Sequence, residues 1–300
     1  MPYLLLVPLL LFGLTAMAPV HPAAGEGERP VSQCQMIARA LPSATFASLT
    51  GAAALPAQAR ADDLGRHPAR PSDAAALPAQ ARADEEVRIT FIGHSTFFIE
   101  TPAGVSIATD YNGWYRTPTL PTVVTMNKAH SSHYTMHPDA GIAHVLHGWD
   151  EASAKGADHD LVVEDVYIRN VPTDIRSWGG AMEANGNSIF IFEVAGLCIG
   201  HLGHLHHELT DTQYAEIGRL DILMVPVDGG LTMGADSMSR VVQRLRSSLI
   251  LPMHRTGPPV ERFLAMFGGD FEVVRDGAAT LSVSLRSLPK QPTIHVLAGM

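Results

Sequence analysis

Six histidines of this chain fall where an apolar, strand-like run breaks off: His94 after residues 87–92, His130 and His133 after Val123-Val124-Thr125, His201 and His204 after Leu197-Cys198-Ile199, and His254 after residues 249–251. One histidine at a strand end is ordinarily a structural residue. Repetition at four strand ends points to a shared rim, because sheets bring strand ends to a common edge. The 300-residue chain carries 15 histidines while charged residues make up only 17%, so its polar positions are weighted toward imidazole. Neutral imidazole is the commonest protein ligand for zinc. Three nitrogen or oxygen ligands with an open position leave room for an activated water. His94-Ser95 is not read as a base and its nucleophile, since neighbours on an extended chain point to opposite faces; His94 is expected to line or buttress the cleft. His144 and His147 are read as surface or substrate-loop residues. Trp114, Tyr115, Trp149 and Trp178 are read as loop aromatics that wall a pocket or cover the core.

The elements that must position these groups alternate. Residues 87–92 switch between apolar and polar, and with 96–100 and 105–107 they predict a three-strand meander. Further strands are expected at 122–125, 165–171, 188–194 and 197–201, the last two joined by a tight Ala195-Gly196 turn. Thr210 with Gln213 is a capping-box start for a helix over 211–218, and apolar spacing predicts another over 236–246. Strands at 222–227 and 249–251, a helix at 260–267, and strands at 272–274 and 280–285 complete the chain. Strands early and helix–strand units late imply two sheets packed face to face with helices outside.

Composition narrows the function. Twenty-one Lys and Arg against 30 Asp and Glu give a net charge of −9, the wrong sign for a nucleic-acid binder. The cysteines, Cys34 and Cys198, cannot supply a thiolate zinc module or a disulfide scaffold; Cys34 is expected to be an isolated thiol and Cys198 a small buried side chain. Residues 1–24 read as a signal peptide or N-terminal anchor, because the uncharged apolar run is shorter than the roughly 20 residues of a spanning helix. Export to the periplasm or exterior follows, with membrane attachment only through an uncleaved leader. Residues 25–86 are rich in Ala and Pro, and residues 52–62 recur unchanged at 74–84. One repeat pair cannot stack into a solenoid, so this segment is expected to be a flexible spacer before a folded domain at 87–300.

Ile92-Gly93-His94-Ser95-Thr96-Phe97, Thr109-Asp110, His201-Leu202-Gly203-His204, the stretch Leu220-Asp221-Ile222-Leu223 leading to Pro226-Val227-Asp228-Gly229-Gly230, and Pro252-Met253-His254 together resemble the metallo-β-lactamase superfamily, nearest its ascorbate-phosphate-lactonase-like branch. The resemblance implies an α+β fold, the four-layer αβ/βα sandwich. It also implies a metal site at one sheet edge and hydrolysis of a small-molecule ester, lactone, amide or phosphoester. The family's His-x-His-x-Asp-His signature falls on Lys128-Ala129-His130-Ser131-Ser132-His133, so its second and fourth ligands are present while Lys128 and Ser132 replace the first and third. A serine hydroxyl stays protonated near neutral pH and cannot serve as that carboxylate would. The bridging Asp of the family falls on His204, and a neutral imidazole offers one lone pair to one metal.

The expected site is therefore a remodelled, mononuclear one. His130, His133, His204 and His254 are its candidate ligands, with His201 as a further ligand or supporting group. The expected cofactor is one divalent ion, zinc, with iron or manganese as alternatives. Asp110 is expected to support the ligand loop through hydrogen bonds, Lys128 to anchor a substrate anion or act near the chemistry, and His94 and Trp178 to contact substrate. Asp174 is the nearest substitute for a strand ligand the family has and this chain lacks. The alternative is a non-catalytic relative binding a small ligand or metal in the same cleft.

Overall fold

The computed structural model describes residues 30–40, 84–176, 180–255 and 259–300, with side chains of 37–40 left aside. Its strands are β1 (Val87–Gly93), β2 (Thr96–Glu100), β3 (Ser106–Ala108), β4 (Val123–Met126), β5 (His144–His147), β6 (Asp160–Val163), β7 (Val166–Arg176), β8 (Met182–Val194), β9 (Leu197–His201), β10 (Ile222–Pro226), β11 (Leu249–Met253), β12 (Glu272–Val274), β13 (Thr280–Val283) and β14 (Thr293–His295). The helices are α1 (Gln33–Ala40), α2 (Asp211–Ile217), α3 (Ala235–Leu245) and α4 (Val260–Leu264). Among the described residues, no helix is long and apolar enough to cross a membrane.

Two sheets result, one ordered β13-β1-β2-β3-β4-β5 and the other β12-β14-β11-β10-β9-β8-β7-β6. Because side chains alternate along a strand, Ile89, Phe97, Ile107 and Val123 of the first sheet meet Ile168, Phe190, Ile199 and Met224 of the second in one buried layer. The opposite face of the second sheet, through Ile191, Leu223 and Ile250, packs on Ile217, Val241, Val242 and Phe263 of the helices. The opposite face of the first sheet, through Phe98, Val124 and Met126, is covered among the described residues by Tyr111, Tyr134 and Trp149 from loops. This is the α+β sandwich expected from the sequence, with one outer layer built of loops.

Local chemistry explains the joints. The β8–β9 hairpin turns at Ala195 and Gly196, both at positive φ, the signature of a type I′ turn. Thr210 and Gln213 form the expected reciprocal capping box on α2. Strands β5, β6 and β14 went unread in the sequence because each is three or four residues long and lacks clear alternation.

One expectation fails outright. Cys34 and Cys198 form a disulfide, with Cα atoms 6.0 Å apart. The thiol of Cys34 is therefore not isolated, and Gln33–Ala40, inside the range read as spacer, is a helix docked on the domain. Sequence separation of 164 residues hid the pairing, since spacing alone fixes no connectivity. The leader at 1–24 and most of the duplicated segment lie outside the described residues.

Candidate metal centre

Chain direction in the two sheets places the site. β10 runs parallel to both β9 and β11, and β4 parallel to β3 and β5, so the loops leaving β1, β4, β9, β10 and β11 meet at one edge. The loops of β1 and β11 are locked together by the His254 N–H donating to the His94 carbonyl at 2.6 Å. His94 and His254, with φ of 53° and 57°, both sit in the left-handed region, a conformation that costs non-glycine residues energy and that surrounding structure must enforce. Their rings are 4.0 Å apart.

Four imidazoles converge. One ring nitrogen from each of His94, His130, His133 and His254 lies within 4.8 Å of the others. His133 and His254 are fully buried, and the other two half-buried. His133 Nδ1 donates to Asp110 Oδ2 at 2.6 Å. Burial opposes ionisation of Asp110, yet His133, His201 and Asn127 together hold its carboxyl well below the usual range. An ionised carboxylate only accepts, so the proton is on Nδ1 and the His133 Nε2 lone pair is bare. That lone pair points at His254 Nε2, 3.0 Å away. Two nitrogens bound at 2.0–2.1 Å to one tetrahedral zinc stand about 3.3 Å apart, so this spacing suits a shared cation. His254 Nδ1 lies 3.2 Å from Asp228 Oδ1, at ion-pair distance though off hydrogen-bond alignment. His130 Nδ1 pairs with the Ser132 hydroxyl at 2.6 Å, and buried His94 Nε2 has no hydrogen-bond partner among the described residues. The donor set fits a divalent ion that prefers nitrogen.

Electrostatics favour neutral imidazoles. Burial, then neighbouring histidines, pushes His94 down to about 3, His130 to about 4 and His204 to about 2, and burial lowers His133 and His201. Unfolded histidines take up protons near pH 6.5 that the native cluster refuses, so native stability rises with pH across that interval and falls on acidification. In chelator-treated protein the urea midpoint is expected to drop steadily from about pH 6.5 to about pH 4. Below that, protonation of Asp110 and Asp228, both depressed, adds further loss. A midpoint that stays level from neutrality to pH 4.5 would contradict the arrangement.

Several expectations need correction. His201 is not available as a ligand: its Nε2 donates to the Ser95 carbonyl at 2.9 Å and its Nδ1 accepts from the Gly203 N–H at 3.1 Å. Lys128 spends its charge on Glu183 and Glu151, at 2.7 and 3.0 Å, so it is not a free anion anchor. Asp174 accepts from the Asn185 N–H at 3.0 Å, outside the cluster. His94, read as a substrate contact, stands in the group of nitrogens close enough to share an ion, while His204 stands outside that group. Trp178 lies outside the described residues. Asp110 hydrogen-bonds His133 with one oxygen, and Asn127 Nδ2 donates to its other oxygen at 2.9 Å.

Sequence reasoning missed the part of Asp228, although it stands in a quoted motif. Its carboxylate accepts from the Leu231 N–H at 2.5 Å and the Gly230 N–H at 3.1 Å, and from the Thr232 hydroxyl, fixing the loop beneath His254. An Asp followed by two glycines at a strand end was the available signal.

A family profile described as "Beta-lactamase superfamily domain" matches residues 88–254. The chain is 26% identical over 217 residues to a metal-dependent hydrolase of Pyrococcus horikoshii, covering 63% of this chain and 95% of that protein. It is 24% identical over 213 residues to a metal-dependent hydrolase of Thermococcus kodakarensis, with the same coverage. A crystal structure from Thermotoga maritima assigned to the metallo-beta-lactamase superfamily is similar at 28% identity and a TM-score of 0.53, covering 71% of this chain and 99% of that one.

Proposed function

Because the chain belongs to the beta-lactamase superfamily, we propose that it is a metal-dependent hydrolase holding one divalent ion, zinc in the first instance, on His94, His130, His133 and His254. The convergence of those four nitrogens within 4.8 Å carries this reading. When bound, such an ion supplies Lewis-acid polarisation and lowers the pKa of water. The chain's own groups do the rest. Asp110 fixes the tautomer and orientation of His133, Asp228 sets the loop of His254, and Ser132 orients His130.

A single ion is favoured because, among the described residues, no carboxylate joins the imidazole group to bridge two ions. Ser132 stands at one of the family's acidic positions and His204 at another. The two buried carboxylates nearby, Asp110 and Asp228, are committed to hydrogen bonds. The substrate class is a small ester, lactone, amide or phosphoester. A second reading, a relative that binds without turnover, is favoured by Ser132, whose hydroxyl is engaged with His130 where a base would be needed. Export is part of the proposal, supported by the Cys34–Cys198 disulfide, since such bonds persist mainly in oxidising compartments.

Metal content of the purified protein, followed by turnover on lactones, phosphodiesters and β-lactams, tests both readings. About one equivalent of metal with turnover of any of these supports the hydrolase. Stoichiometric metal with no turnover favours the binding relative, and metal-free protein that takes up none on titration overturns both.

A further inference from the structure

We propose that His204 faces the substrate rather than the metal, as a hydrogen-bond donor to the substrate's reacting oxygen. This rests on the metal-centre reading above and deepens it.

His204 is only 5% exposed, and neither ring nitrogen has a hydrogen-bond partner among the described residues. Burying two polar atoms without partners is unfavourable, so the ring is set up for a partner that the chain itself does not supply. The ring is also well fixed. Its backbone N–H donates to Asn187 Oδ1 at 2.7 Å, and Asn187 is anchored in turn to Thr173. The preceding Gly203 has a φ of 59°, and a Cβ there would come within 2.4 Å of Asn127 Nδ2 and Asn187 Oδ1. Only glycine lets the chain pass so close, and the passage aims residue 204 at the cluster. Ring centroids put His204 4.9 Å from His133, 5.0 Å from His254 and 5.2 Å from His130. Yet it lies outside the group of nitrogens close enough to share one ion.

An imidazole that borders a cation site without joining it is placed to contact whatever the ion holds. A neutral ring carries one N–H donor and one acceptor. A carbonyl or phosphoryl oxygen drawn to the cluster can take that hydrogen bond, and the bond strengthens as negative charge builds on the oxygen. His204 would then be a catalytic residue that touches substrate.

The test uses the zinc-loaded full chain, with His204→Ala, His204→Phe to keep the ring volume, and His204→Gln to restore an N–H. Zinc stoichiometry is measured directly, and methylphosphonate serves as a tetrahedral oxyanion probe in calorimetry. His204→Ala and His204→Phe are expected to hold as much zinc as the parent while binding methylphosphonate about tenfold more weakly or worse, with His204→Gln recovering most of the affinity. If p-nitrophenyl acetate is turned over, kcat should fall about 100-fold with KM little changed. Zinc loss in His204→Phe with the fold intact would make His204 a ligand and overturn the proposal. Equal methylphosphonate affinity in parent and variants, or none in the parent, overturns it too. Parent protein that holds no zinc would instead sink the metal-centre reading.

Discussion

Replacing His133 with Ala is expected to take bound metal from about one equivalent per chain to background, and any hydrolytic turnover with it. His133 is fully buried, its Nδ1 is held by Asp110 at 2.6 Å, and its bare Nε2 is 3.0 Å from His254. Ser95 Oγ does not make good the loss, because it contacts the ring at Nδ1, 3.2 Å away, and not at the Nε2 that faces His254. The variant also leaves the Asp110 carboxylate buried without its main partner, which costs about 3–5 kcal/mol in comparable buried pairs. Stability and metal are separable through Asp110→Asn, which keeps volume and the Asn127 neighbour but loses tautomer control over His133. Its metal affinity should fall about 10- to 100-fold rather than vanish. His144→Ala, on the half-exposed strand β5, should leave metal unchanged. Atomic absorption on the dialysed proteins reads all three, and His133→Ala protein that still carries stoichiometric metal would reject the site.

Much of this arrangement was legible in the sequence, for a physical reason. Strand periodicity is local, so residues 87–100 and 188–201 declared their strands, and a histidine just past each strand is then forced to the shared edge. What could not be read was how the ring nitrogens are spent. His201 and His94 look alike as strand-end histidines, but His201 lies inside the sandwich with a carbonyl and an N–H to satisfy both nitrogens. His94 instead turns through positive φ into the cleft. The local run around each does not encode this difference, which depends on the Ser95 carbonyl and the Gly203 N–H, brought together only by packing of the two sheets. Lys128 shows the same limit. Its partners Glu151 and Glu183 are 23 and 55 positions away, one in the turn between β5 and β6 and the other on β8, and nothing near Lys128 encodes their approach. Asp110 lies just past β3 with a φ of 43°, and what orients its carboxylate is the pair of hydrogen bonds from His133 and Asn127, which the Thr109-Asp110 motif does not itself encode.

The second large effect concerns the staple. Removing the Cys34–Cys198 disulfide, by reductant or by Cys34→Ser with Cys198→Ser, is expected to lower stability by about 5 kcal/mol in the chain-entropy treatment for a separation of 164 residues. For a domain of this size that corresponds to a fall in Tm of about 10–20 °C. The noncovalent attachment of α1 sets how the loss is distributed. Glu193 accepts from Ser32 Oγ at 2.5 Å and from the Gln33 N–H at 2.9 Å, capping the helix start, while Arg169 Nε donates to the same carboxylate at 2.9 Å. Arg169 also donates to the Glu216 and Ile217 carbonyls at the end of α2, so the Ser32–Glu193–Arg169 chain ties α1 to the domain with or without sulfur. The cross-link therefore acts mainly by restricting the unfolded chain, and α1 should remain docked in the reduced native state. Cys198 points to the helix-covered face of β9, whereas Ile199 and His201 face the inter-sheet core, so the imidazole cluster should keep its metal after reduction. Calorimetric scans with and without reductant, with metal content read alongside, decide the point: an unchanged Tm would mean the bond adds nothing to stability, and metal lost together with the disulfide would mean α1 reaches the site through β9.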